Sequence, residues 1–128
     1  MEIELEKSIL NELYRYLKPV GYENFKANTQ NFEHTNKIVE EQTGTTFQPD
    51  MTATRNGSLA IFEIEMGEEL KKTKEKFLNK CSMFLQYDVD KNGNFFLVVP
   101  IEQFDPVMSI INSNNLEDIG ILRLQKKL

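Results

Sequence analysis

The sequence has no tryptophan, one cysteine, one histidine and four prolines among 128 residues. A lone cysteine, Cys81, excludes an intrachain disulfide and a cysteine-rich zinc site. A lone histidine, His34, excludes a multi-histidine metal centre built from one chain. Long apolar runs are also missing. Residues 95–99 form one of the longest, far short of the roughly 18 residues that a membrane span requires, so no membrane role is expected. The chain is short of positive charge, with 15 Lys and Arg against 20 Asp and Glu and a net charge of −5. Proteins that grip nucleic acid by broad phosphate neutralisation are basic. Any such contact here would need a local basic stripe. The start, Met1-Glu2-Ile3-Glu4, is acidic and has no basic n-region. It predicts no secretory leader and a cytoplasmic location.

What is present suits an ordinary folded domain. Apolar residues make up 40% and charged residues 27%, which excludes a disordered or collagen-like chain. A chain of this length buries about two thirds of its unfolded surface, enough for one core. Residues 1–128 are therefore expected to form a single domain.

Apolar side chains at Leu5, Ile9, Leu10, Leu13, Tyr14 and Leu17 predict a helix over 2–17, with early glutamates favoured by its dipole. Pro19 and Gly21 end it. Residues 20–33 read as irregular, and 34–43 as a short helix closing at Gly44. Residues 45–54 are rich in β-formers. Arg55-Asn56-Gly57-Ser58 is a hairpin turn, because Asn-Gly accepts the positive φ that tight hairpins demand. Residues 59–66 then form a strand whose second half alternates, putting Glu63 and Glu65 on one face. A helix is predicted over 68–87, with Leu70, Phe77, Cys81, Phe84 and Leu85 as its apolar stripe and Lys72, Lys76 and Lys80 on another face. A polar turn at 88–94, a strand at 95–99, a helix at 103–113 and a strand at 119–124 complete the chain. The pattern points to an α/β fold, a mixed β-sheet flanked by helices.

The richest constellation is Pro49-Asp50, the hairpin turn, and Glu63-Ile64-Glu65. With the turn at 56–57, residues whose numbers sum to about 113 face each other, so Asp50 meets Glu63. Glu65 shares the face of Glu63. Three converging carboxylates suit a hard cation such as Mg²⁺. Without a cation they repel one another and need solvent or raised pKa values.

These residues resemble the PD-(D/E)xK nuclease superfamily, whose fold is the restriction-endonuclease-like fold. Pro49-Asp50 stands at the "PD", Glu63 at the "D/E" and Glu65 at the "K". The resemblance covers about 45–100, the common core. It implies a metal-dependent DNA endonuclease, a hydrolase of phosphodiesters, with Asp50, Glu63 and Glu65 around Mg²⁺ or Mn²⁺. The usual lysine is replaced by Glu65, giving a Glu-x-Glu variant. A lysine from the following helix, Lys72 or Lys76, would restore it, and Lys76 is taken as the catalytic residue. The alternative is a catalytically inactive nuclease-like module that binds protein. A third reading, an acidic regulatory or mimic protein that engages a basic partner, rests on the net charge alone. The chain is too short to grip a duplex easily, so a homodimer or a partner subunit is expected alongside DNA.

Other features have plainer readings. Lys72, Lys76 and Lys80 could touch phosphates, but such a stripe is more often a solvated face. Residues 88–94 begin like an EF-hand loop, yet the required position-12 glutamate falls on Val99, so calcium binding is rejected. Cys81 belongs to the apolar stripe and reads as core, not as a nucleophile paired with His34. Gln86, Tyr87 and Glu12 could approach the carboxylates; packing and surface roles are the simpler expectation.

Overall fold

The computed structural model describes residues 3–39, 44, 46–65, 74–91, 94–116 and 119–124. Among the described residues it is a mixed α/β structure with a five-stranded mixed sheet, a two-stranded sheet and three α-helices. The helices are α1 (Ile3–Leu17), α2 (Lys74–Lys91) and α3 (Phe104–Ser113). The strands are β1 (Glu23–Ala27), β2 (Ile38–Val39), β3 (Thr46–Phe47), β4 (Met51–Arg55), β5 (Ser58–Ile64), β6 (Asn94–Pro100) and β7 (Gly120–Leu124). The large sheet runs β1-β4-β5-β6-β7. Its first three strands are antiparallel, and β5, β6 and β7 are parallel. No described helix is long and apolar enough to cross a membrane.

The sheet separates two apolar clusters. On one face, Ile9, Leu10, Leu13 and Leu17 of α1 pack on Ala27, Met51, Ala53, Ala60, Phe62, Ile64 and Val98. On the other, Phe77, Cys81 and Met83 of α2 and Val107 and Ile111 of α3 cover Ile61, Phe95, Leu97 and Val99. Alternation along β5 explains the division: Phe62 and Ile64 point to α1, Ile61 to α2. Helices on both faces also explain why β5 begins as an unbroken apolar run.

Three expectations from sequence need correction. Residues 23–27 are a strand, not an irregular segment. β1 is an edge strand that pairs with β4 and, through Lys26, makes an isolated bridge to Glu33; its register shifts between Glu23 and Lys26, where Asn24 takes φ 55°. A bulge erases the period of two, and an edge keeps polar side chains, so the usual strand signal is absent. The helix expected over 34–43 is not formed at its described residues. Ile38 and Val39 pair antiparallel with Phe47 and Thr46; two adjacent β-branched residues favour a strand over a helical stripe. The turn expected at 88–94 begins later, because α2 continues to Lys91. Residues 66–73, which include Leu70 and Lys72, lie outside the described residues, as do 92–93.

The β6–β7 contact carries a packing prediction. Gly120 pairs with Phe96 across the parallel ladder. A Cβ on Gly120 would sit 2.7 Å from Phe96 Cε1 and closer still to Cδ1. The Phe96 ring is backed by Phe62, stacked at 5.3 Å between centroids, and Phe62 is fully buried. The ring has no free retreat. Gly120→Ala should therefore destabilise the fold by about 1–3 kcal/mol, the usual cost of overpacking. Urea denaturation of the two proteins measures it, and an unchanged midpoint would contradict this packing.

Candidate functional site

The site begins with the β4–β5 hairpin. Asn56 and Gly57 both adopt positive φ, 53° and 79°, the conformation of a type I′ turn. The ladder then pairs Arg55 with Ser58, Thr52 with Ile61 and Met51 with Phe62. Each pair sums to 113, the register read from the turn. One step beyond Met51–Phe62, Asp50 comes opposite Glu63. Asp50 Oδ2 accepts a hydrogen bond from the Ile64 backbone N–H at 2.9 Å. The Asp50 side chain also acts on the neighbouring Glu63 carboxyl and raises its pKa. Glu65 follows β5, and its N–H donates to the Val98 carbonyl of β6 at 3.1 Å.

Lys80 reaches this patch from α2. Its Nζ lies 2.6 Å from Glu65 Oε1 and 3.5 Å from Glu63 Oε2. Glu63 and Glu65 are each only 4% exposed, and the Lys80 side chain is mostly buried. The structure thus brings Asp50, Glu63, Glu65 and Lys80 together. Lys76, the lysine expected at the site, has an exposed side chain one turn away. Lys72 lies outside the described residues. Lys80, expected on the outer stripe with Lys76, turns inward instead. Four residues advance a helix by slightly more than one turn, so an i, i+4, i+8 row drifts by about 40° per step. That drift carries Lys80 off the outer face. Its position beside Cys81 and three residues after Phe77, both in the apolar stripe, was the signal available in the sequence.

The electrostatics follow from burial. Burial raises the Glu63 pKa well above its ordinary value; the charge of Asp50 adds to this, while Lys80 opposes it. Buried beside a second carboxylate, Glu63 therefore holds its proton more tightly than a free glutamate. For Lys80, burial acts to lower the pKa, but the charges of Glu63 and Glu65 outweigh it and hold the ammonium above its ordinary range. Lys80 is therefore a cation at any working pH. Burial, and then the nearby Glu65 charge, push the Cys81 thiol up to about 12. A thiol so disfavoured as thiolate is core packing, not a nucleophile.

His34 is exposed. Glu12 is on α1, against the opposite sheet face, and bonds Arg15 at 3.2 Å. Gln86 and Tyr87 fall within α2, with their side chains outside what is described.

The arrangement can do one of two things chemically. Its carboxylate oxygens are hard donors, and a divalent cation could replace the proton that Glu63 holds. Alternatively, Lys80 neutralises the glutamates and the cluster is an internal ion network. Among the described residues, no three His, Cys, Asp or Glu side chains are grouped as they stand to hold a metal ion. Lys80 already engages an oxygen of each glutamate, and the Ile64 amide one of Asp50.

Comparison with protein-family models, curated proteins and solved structures finds no match.

The Glu63 proton gives a pH prediction. Glu63 titrates above its ordinary 4.5 in the fold, so over the window above 4.5 the native chain holds a proton that the unfolded chain has released. Stability must then fall as pH rises, by up to about 1.4 kcal/mol per unit from this group. Lys80 adds no slope there, because its pKa is 10.5 unfolded and higher in the fold. Glu63→Gln should flatten the decline between pH 5 and 8 in urea melts. Parallel curves for wild type and variant would refute a proton held on Glu63.

Proposed function

We propose that the chain is a metal-dependent phosphodiester hydrolase of the restriction-endonuclease-like fold, acting on DNA. The observation that carries the proposal is the buried lysine of α2 placed on Glu63 and Glu65 beside Asp50. The lysine absent from the position of Glu65 in the PD-(D/E)xK pattern is thereby supplied by the next helix, as Lys80 in place of the expected Lys76. The order of an antiparallel hairpin, a helix and a parallel strand around the cluster supports the same reading.

In this reading Asp50 and Glu63 would hold Mg²⁺ or Mn²⁺, with Glu63 giving up its proton to do so. The ion, when bound, supplies Lewis-acid stabilisation and makes a bound water acidic. Glu65 orients the Lys80 ammonium through the 2.6 Å contact and can accept a proton from water. Lys80 contributes fixed positive charge where negative charge develops on the phosphoryl group. Net charge −5 leaves duplex binding to a second copy or a partner subunit, and the protein would work in the cytoplasm.

A second reading has its own support. Both glutamates are 4% exposed and already paired with Lys80, as in a nuclease-like module that binds protein without cutting. Incubation with supercoiled plasmid separates the two. The nuclease nicks or linearises it with Mg²⁺ or Mn²⁺, stops with EDTA, and is inactive as Asp50→Asn. Plasmid left intact at millimolar metal, or cut equally by the variant, would overturn the proposal.

A further inference from the structure

Asp50 sits where two carboxyl groups repel, yet it is held there, and the restraint comes from a loop outside the cluster. Asn28, directly after β1, bonds the segment on both sides of Asp50. Its Nδ2 donates to the Pro49 carbonyl at 2.8 Å, and its backbone N–H donates to the Asp50 carbonyl at 3.2 Å. Thr35 Oγ1 lies 2.7 Å from the Pro49 carbonyl and 2.9 Å from Asn28 Oδ1. Asn28 Oδ1 already accepts from the Thr35 N–H at 3.3 Å and from Gln48 Nε2 at 3.1 Å. The one hydroxyl proton therefore goes to Pro49, whose carbonyl then has both lone pairs filled. Gln48 Nε2 also donates to the Thr35 carbonyl at 3.0 Å, closing the network.

The consequence is local and geometric. Peptide units are planar. Fixing the Pro49 carbonyl fixes the plane that enters Asp50, and fixing the Asp50 carbonyl fixes the plane that leaves it. Both backbone torsions of Asp50 are then set, and its carboxylate is aimed at the Ile64 amide and at Glu63. Thr35 is 5% exposed, a buried hydroxyl that the proposed chemistry does not otherwise use.

We propose that Asn28 and Thr35, braced by Gln48, are positioning residues that clasp the Pro49-Asp50 backbone and so hold the Asp50 carboxylate against Glu63. The consequence for metal binding rests on the nuclease reading; the clasp itself does not.

Amide hydrogen exchange tests it in the full chain. The Ile64 amide reports the Asp50 carboxylate, and the Glu65 amide, bonded to Val98, is the internal control. Thr35→Val keeps the shape and loses the hydroxyl. It should speed exchange at Ile64 by about tenfold relative to Glu65, and Thr35→Ser should restore the wild-type ratio. Gln48 is exposed, so Gln48→Ala keeps the core intact and should shift the ratio in the same direction by a smaller factor. If Thr35→Val does not fold, Gln48→Ala decides alone. An unchanged ratio, or equal acceleration of both amides, would overturn the clasp. In parallel, Mn²⁺ affinity should fall about tenfold or more in Thr35→Val, as for other supports of metal ligands, and return in Thr35→Ser. Wild type that binds no Mn²⁺ would defeat the nuclease reading, while the exchange ratio would still decide the clasp.

Discussion

Lys80→Met should cost the fold about 3–5 kcal/mol at pH 8, the usual penalty for removing one partner of a buried charge cluster. Methionine keeps most of the aliphatic stem and its packing, so the loss isolates the ammonium. Glu63 and Glu65, each 4% exposed, would lose the cation that lies 3.5 and 2.6 Å from them. The deficit should shrink toward pH 5, because Glu65 can then take up a proton in place of Lys80, as Glu63 already does. Adding Glu65→Gln should recover part of the stability, since it removes one of the stranded charges. Urea denaturation at the two pH values reads all three results. A loss below about 1 kcal/mol at pH 8 would be typical of a solvated surface pair, and would contradict a buried cluster.

Asp50→Asn should lower metal-dependent cleavage by about a thousandfold or more while leaving the fold in place. The amide is nearly isosteric, and one oxygen remains to accept the Ile64 N–H at 2.9 Å. What disappears is the negative charge that helps hold a hard cation. The variant also relieves the repulsion between Asp50 and Glu63, so its melting temperature should equal or exceed that of wild type. A variant that is both inactive and unfolded would place Asp50 among structural residues. A variant that cuts at the wild-type rate would remove Asp50 from the chemistry.

The parts of this account that were legible in sequence are those written in local backbone rules. Asn56-Gly57 demanded positive φ, which placed the turn, and the turn placed Asp50 opposite Glu63. The elements α1, β5, β6, α3 and β7 follow from apolar periodicity and lie within a few residues of where the pattern put them. What escaped depended on neighbours distant in sequence. β1 has no alternation because Asn24 bulges it at an edge. Residues 38–39 are a strand only because 46–47 return to pair with them. Lys80 was grouped with an outward stripe, and its inward turn follows from how α2 lies over the sheet. The Asn28–Thr35–Pro49 contacts join residues up to 21 apart, and no local motif announces them.

The most direct test of the central claim is a calorimetric titration of Mn²⁺ into wild type and Asp50→Asn at pH 7.5. Wild type should bind saturably, with release of the proton held by Glu63, and the variant should lose that binding. Proton release shows as a heat that changes with the ionisation enthalpy of the buffer. No binding by wild type at millimolar Mn²⁺, or equal binding by both proteins, would contradict it and leave the Asp50, Glu63, Glu65 and Lys80 cluster as a buried ion network.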